Sequence, residues 1–154
     1  MTETSDAEKK IKFDDFLMIM DDQLEALERD ALKHGIRIGR NMGPLEPLEQ
    51  LFSKMKTEII KDDIDRLIIY FARYLGEIVI GDFGGHWNLP LKDKKNVNYN
   101  RPVIIGHSPI PGLEFAPISL VRAYSIKEKP GMFRIAIDAD INPNPIDLSD
   151  LADE

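Results

Sequence analysis

Residues 64–85 read IDRLIIYFARYLGEIVIGDFGG, and this stretch decides the fold. Its apolar residues recur at intervals of three and four, which is the period of a helix with one buried face. Other apolar residues widen that face, so we predict that this helix is the central and most buried element. Asp62 and Asp65 provide an acidic start, and the glycines from Gly81 onward end it. The stripe comprises Ile64, Leu67, Ile68, Phe71, Leu75 and Ile78.

Two amphipathic helices are predicted before this central one. The pattern from Phe13 to Ala31 predicts about six helical turns that end near His34 and Gly35. The pattern from Leu45 to Ile59 predicts a second helix. Prolines near its start are compatible with this, because the amides of a first helical turn have no internal partner. Residues 1–10 are polar and offer nothing to bury, so we predict a disordered tail there.

The sequence character changes after Gly85, where helical periods give way to short β-branched or aromatic runs between Pro, Gly and Asn. His86–Leu89, Val103–His107 and Phe133–Ile137 have the composition of strands. Residues 117–127 fit either a helix or a strand, and we favour a helix because Ile118, Val121 and Ser125 share one of its faces.

These elements predict an α+β fold in which N-terminal helices pack on a small, mainly antiparallel sheet with one further helix. Residues 11–140 are predicted to form a single domain, since no repeat or Gly/Ser-rich linker divides the chain. Residues 141–154 contain two prolines and four acids, and we predict an acidic, extended tail.

The negative charge of the chain is concentrated at its ends. The formal net charge is −7, yet residues 138–154 hold six acids without any Lys or Arg, and residues 1–10 hold three acids and two lysines. The remaining residues therefore carry 18 basic and 18 acidic side chains and are neutral as a group. A neutral body with an acidic end is not expected to bind nucleic acid, whose phosphates require clustered positive charge.

Composition restricts the compartment and the chemistry. The chain has no cysteine, which removes disulfides, thiolate metal sites and cysteine nucleophiles. No apolar stretch follows a basic one near the amino terminus, and no long apolar run is present. We therefore expect a cytoplasmic protein that binds neither membrane nor cofactor.

The three histidines are the first candidates for metal or acid–base chemistry. His34 is expected to cap the carbonyl end of a helix. His86 and His107 fall on neighbouring predicted strands, and Asp82 or Asp138 could join them as a carboxylate. This grouping supports an alternative function, a small metal-dependent or acid–base enzyme, although no short metal-ligand spacing accompanies it.

Lys92, Lys94, Lys95 and Arg101 form a basic cluster next to aromatic residues. Such a cluster can contact phosphates, but Asp93 interrupts it and no other basic face adjoins it. We interpret it as a solvated loop between two strands.

One set of residues forms a pattern that extends over two helices and the turn between them: Tyr74, Gly76, Glu77, Gly84, Gly85, Trp87, Pro117, Val121 and Tyr124. This pattern resembles an uncharacterised bacterial family of small proteins. The shared pattern is a helix ending in Tyr-x-Gly-Glu, a Gly-Gly-x-Trp turn into a strand, and a later Pro-x-x-x-Val helix, over about residues 64–127. Some members are similar to immunity proteins, which neutralise a toxin by binding it, and the resemblance implies no catalytic residue.

The same residues have a structural interpretation. Gly76 permits close packing against the central helix, and Trp87 anchors the first strand in the core. Glu77 follows the apolar stripe, so a buried carboxylate there must be paired or hydrogen-bonded, for example to an amide of the next turn.

The sequence therefore predicts a non-catalytic protein-binding domain, in its sharpest form an immunity or antitoxin-like protein. The acidic tail could contact a basic partner such as a toxin, and its candidate binding residues are Asp147, Asp150, Asp153 and Glu154. A homodimer is an alternative, because the central helix carries excess apolar surface.

Overall fold

The computed structural model describes residues 5–143. Over these residues the chain forms six α-helices, one short 3-10 helix over Lys61–Asp63 and a two-stranded sheet, which confirms the predicted α+β class. The elements in chain order are α1 Asp6–Met18, α2 Met20–Lys33, α3 Leu45–Lys56, α4 Ile64–Phe83, β1 His86–Asn88, β2 Val103–Ile105, α5 Pro117–Lys127 and α6 Met132–Ile141.

Helix α4 is the centre of the molecule, as its sequence predicts. It contacts α2, α3, α5 and strand β2, and its buried residues form one apolar cluster with theirs. Phe71 is fully buried and meets the ring of Phe52 from α3 edge to face, with 5.1 Å between ring centroids. This geometry is favoured between aromatic rings, so α3 and α4 are held together by shape as well as by burial.

The predicted N-terminal helix is two helices. Helix α1 ends at Met18 and α2 begins at Met20, with the break at the half-exposed Ile19. Residues 6–10 belong to α1, where Ser5 caps the first turn by accepting a hydrogen bond from the Glu8 amide, so the prediction of a disordered tail is wrong for them. A side-chain cap stabilises a helix even when its first turn is polar.

Strands β1 and β2 pair in an antiparallel register that places Trp87 opposite Ile104. Their existence and order were predicted, although both are shorter than expected and the second ends at Ile105 rather than His107. Gly85 permits the close approach of the two strands, because a Cβ there would lie 2.5 Å from the Ile105 carbonyl oxygen. Its φ of 93° also favours glycine.

Helices α5 and α6 cover two segments whose secondary structure was predicted from short apolar patterns. Residues 117–127 form helix α5, as favoured. Residues 133–137 form part of α6, and the predicted third strand is therefore wrong. Phe133 and Ile137 are buried at helical spacing, whereas Ile135 is 70% exposed, so the apparent alternation of apolar residues does not correspond to one buried face.

No helix within residues 5–143 is both long and apolar enough to cross a membrane.

Candidate functional site

An apolar groove of about 500 Å³ lies where four segments meet. These are the end of α3, the following 3-10 helix, the first turns of α4 and the last turns of α5. Five isoleucines line it, and we refer to it as the isoleucine groove: Ile59, Ile60, Ile64, Ile68 and Ile126. Its volume is within the range of ligand pockets, and its lining is mainly hydrocarbon.

The groove exposes large apolar side chains to water. Ile68 is buried and forms part of its floor, whereas Ile60 is 66% exposed and Ile126 is 78% exposed. Burying an isoleucine side chain is worth roughly 1.5–3 kcal/mol, so covering these two would release a substantial free energy. Clustered apolar exposure of this kind marks interaction surfaces more often than scattered single residues do.

Positive side chains line the rim of the groove. Lys56 donates a hydrogen bond to the Ser125 carbonyl oxygen and has its Nζ 3.8 Å from a Glu128 carboxylate oxygen. Arg122 pairs with Asp65 at 2.9 Å. Lys61 is the third cation of the lining, and it makes no ion pair within residues 5–143. The rim can therefore offer positive charge to a ligand whose apolar part covers the isoleucines.

His34 occupies the helix end where the sequence placed it. It is the C-cap of α2, with Nδ1 2.7 Å from the Asp30 carbonyl oxygen and Nε2 2.8 Å from a Glu58 carboxylate oxygen. The backbone hydrogen bond to Asp30, followed by that to Glu58, raises the pKa of the imidazole above its ordinary value. Protonated His34 donates from both nitrogens and links α2 to the segment after α3.

The residues of the alternative enzyme hypothesis differ in exposure and in hydrogen-bond partners. Asp82 is exposed and accepts a hydrogen bond from the Met42 amide at 2.8 Å. His86 and Asp138 are also exposed, while the His107 side chain has no exposed surface. The carboxylate beside His107 is Asp140, at 2.9 Å from Nε2, rather than Asp82 or Asp138.

His107 connects the loop after β2 to the end of α6. Besides the bond between its ring and Asp140, the neighbouring Ser108 hydroxyl donates to the Asp140 carbonyl oxygen at 2.6 Å. The His107 Nδ1 atom is buried and has no hydrogen-bond partner among the described residues. These hydrogen bonds hold the last turn of α6 against the loop after β2.

Five residues of the family-like pattern form one packing unit: Gly76, Glu77, Gly84, Gly85 and Trp87. A Cβ at Gly76 would lie 2.3 Å from two atoms of the Trp87 ring, so the indole lies directly on the glycine. The Trp87 Nε1–H donates to the Glu77 carboxylate at 2.7 Å, which makes the partner of Glu77 an indole rather than a turn amide. Gly84 and Gly85 both have positive φ and form the turn that brings the indole back onto α4.

The basic loop is folded onto acidic and polar partners. Glu114 accepts hydrogen bonds from the side-chain amides of Asn96 and Asn98, and Arg101 donates to the Ser119 hydroxyl. Lys9 of α1 donates to the Tyr99 hydroxyl. These contacts connect the loop to α1 and α5.

The predicted partner-binding residues Asp147, Asp150, Asp153 and Glu154 lie outside the described residues. Within residues 5–143, no group of three or more His, Asp or Glu side chains is arranged to hold a metal ion.

Comparison of the chain with protein-family models, with curated proteins and with solved structures finds no match.

Sequence reasoning missed the isoleucine groove, although two signals pointed to it. Ile126 is apolar but lies off the face of α5 that carries Ile118 and Val121, and Ile60 follows Ile59 where the helical pattern of α3 ends. Apolar residues that fall outside a periodic stripe are candidates for exposed binding positions. Their convergence depends on packing between α3, α4 and α5, which the local pattern does not contain.

Proposed function

We propose that this chain is a non-catalytic protein-binding domain that uses the isoleucine groove as its binding surface. The observation that carries the proposal is the exposure of Ile60 and Ile126 above the buried Ile68 in a concave site. A concave apolar site with polar groups at its edge supports binding of an apolar protein segment. The cations of the rim would orient that segment by contacting its acidic groups.

The sharper form of this proposal is an immunity or antitoxin-like protein. It is supported by the resemblance of about residues 64–127 to a family of which some members are similar to immunity proteins, and by the acids after residue 137. A basic toxin could contact those acids while one of its apolar segments enters the groove. Complementary charge would then accelerate association and select the partner.

A pull-down from the lysate of the native host tests the proposal. The bait proteins are the intact chain, its Ile60→Glu and Ile126→Glu variants, and an Ile135→Glu control. Ile135 matches Ile126 in residue type and nearly in exposure but does not line the groove. We expect one stoichiometric partner with the intact chain and the control, and a loss of at least about tenfold in affinity with the groove variants, since a charge would face the apolar segment.

Equal retention by the groove variants and the intact chain would reject the groove as the binding surface. The absence of any specific partner would reject the binding function itself. For the immunity form, the retained protein should inhibit growth when it is expressed alone and should lose this effect when the chain is co-expressed. A partner without toxicity would leave a binding domain of another kind.

A further inference from the structure

We propose that the isoleucine groove also binds a small molecule, the anion of a fatty acid, and that this ligand competes there with the protein partner. The alkyl chain would cover the apolar floor, and the carboxylate would contact the cations of the rim. The competition rests on the proposed function, whereas binding of the fatty acid stands on its own.

The groove offers mainly hydrocarbon to an alkyl chain. Ile68 is buried in its floor, and Ile60 and Ile126 expose most of their side chains around it. The polar groups of Ser125 are already used within the chain, since its hydroxyl donates to a backbone carbonyl oxygen of α5 at 2.6 Å and its own carbonyl oxygen accepts from Lys56. An alkyl chain needs no hydrogen bond, so it can cover these residues without leaving a polar group unpaired.

The charge of the lining matches a carboxylate. Among the described residues that line the groove, Lys56, Lys61 and Arg122 are cations and none is an Asp or Glu. Two of these cations have acidic partners outside the lining, because Arg122 pairs with Asp65 and Lys56 lies near Glu128. A bound carboxylate would share these two cations with their present partners.

Lys61 is the rim cation that a carboxylate can contact without displacing another acid. It is exposed, and it makes no ion pair within residues 5–143. Asp62 and Asp63 follow it in the chain, but neither lines the groove, and Asp63 lines a separate hollow beside Tyr70. Because an ion pair between exposed groups contributes little, most of the affinity would come from the alkyl chain, and Lys61 would select its head group.

Titration of the full chain with decanoate, followed by the isoleucine methyl signals in nuclear magnetic resonance spectra, tests the binding. We expect saturable shifts at Ile60 and Ile126 and none at Ile135, which is 70% exposed but does not line the groove. Ile126→Glu should abolish the saturable shift at Ile60, whereas Ile135→Glu should preserve it. Equal shifts at all three residues, or no saturable shift in the groove, would overturn the proposal.

The length of the alkyl chain tests the apolar contact. Burying one methylene group contributes about 0.8 kcal/mol, which corresponds to about a fourfold change in Kd. In the series dodecanoate, decanoate and octanoate, we therefore expect Kd to rise by up to about fourfold for each methylene group removed. An affinity that is independent of chain length would contradict binding along the isoleucines.

The head group tests the role of the rim. Decanol has the same alkyl chain as decanoate without its charge, and we expect it to bind more weakly. Lys61→Gln should weaken decanoate binding by up to about fivefold and leave decanol binding unchanged. The control is Lys92→Gln, which removes an exposed lysine outside the groove and should change neither affinity. Equal affinity for decanoate and decanol would overturn the assignment of a fatty-acid anion.

These titrations contain no protein partner, so their failure leaves the pull-down result intact. The competition is tested by adding decanoate to the pull-down, where we expect the intact chain to lose its partner. Retention of the partner at a decanoate concentration that saturates the groove would overturn the competition. Binding of decanoate without any captured partner would support the ligand site while the proposed function fails.

Discussion

At the scale of single residues, the contact between Gly76 and Trp87 explains the most distinctive part of the sequence. The indole occupies the space that any side chain at residue 76 would need, and its N–H is bonded to Glu77 of the same helix. Phe16 of α1 meets the indole edge to face, at 5.0 Å between ring centroids. Trp87 therefore connects β1, α4 and α1, and the pattern that resembles a protein family is first of all a packing unit.

Replacing Gly76 with alanine should destabilise the chain by up to about 2 kcal/mol. Displacing the indole costs about 1–3 kcal/mol, which exceeds the gain of about 1 kcal/mol in helix propensity. Urea unfolding followed by the emission of the single tryptophan measures both the stability and the change in indole environment. Gly81→Ala in the same helix is the control, because its Cβ would make an ordinary contact of 3.7 Å.

We expect Gly81→Ala to be neutral or slightly stabilising, with unchanged emission. Two alanine variants of equal stability and equal emission would show that the indole does not lie on Gly76 as described.

His34 should contribute stability that depends on pH. Its pKa is raised in the folded chain by Asp30 and then Glu58, so protonated His34 stabilises the fold below its unfolded pKa of about 6.5. This contribution is lost as the pH rises through the higher folded-state pKa. We therefore expect His34→Gln to destabilise the chain more at pH 6 than at pH 9, as measured by urea unfolding.

The Glu58→Gln variant separates the two causes. In that background the pH-dependent effect of His34→Gln should be smaller but not absent, because the Asp30 carbonyl still accepts from the ring. A pH-independent effect in the original background would contradict the raised pKa.

At the scale of elements, helix α6 owes its form to a distant residue. Glu49 of α3 is buried, and its carboxylate accepts hydrogen bonds from the Gly131 and Phe133 amides at 2.8 and 2.9 Å. These amides are at the helix start, where no internal acceptor exists. The first turn of α6 is therefore capped by a side chain from another helix, and a local sequence window cannot contain that interaction.

Glu49→Ala should destabilise the chain by about 1–3 kcal/mol, because it leaves buried amides without an acceptor. The matched control is Glu46→Ala, which also removes a contact between α3 and α6, in this case with Arg134. That pair is partly exposed to solvent, so we expect a loss of about 0–1 kcal/mol. Thermal unfolding by circular dichroism measures both variants, and a larger loss at Glu46 would contradict the capping role.

At the scale of the whole molecule, one apolar cluster includes residues from all six described helices and from β2. Polar contacts across helices add to it: Tyr74 of α4 donates to Glu28 of α2, which also pairs with Arg40. The Arg40 hydrogen bond lowers the pKa of Glu28, while burial raises that of Tyr74 above its usual range. The described residues therefore share one core rather than two.

A single core should unfold in one cooperative step. We expect the urea midpoint from Trp87 emission, which reports the contact between the hairpin and α4, to coincide with the midpoint from far-ultraviolet circular dichroism, which reports the helices. An earlier transition in the tryptophan signal would show that the hairpin separates before the helices unfold.

Elements with a local signal could be predicted from the sequence alone. The period of residues 64–83 predicted the central helix, since one apolar stripe suffices to define a buried face. The glycines and β-branched residues after it predicted the hairpin, and the charge distribution located the acids at the chain end. The α+β class follows from the order of these elements.

Tertiary structure alone decided three features. Helix α6 replaced a predicted strand because Glu49 caps it and because Phe133 and Ile137, not Ile135, face the core. The carboxylate beside His107 became Asp140 through the packing of α6 against the loop after β2. The isoleucine groove arose where α3, α4 and α5 meet. In each case the deciding contact joins residues far apart in the chain, and short-range periodicity carries no information about such contacts.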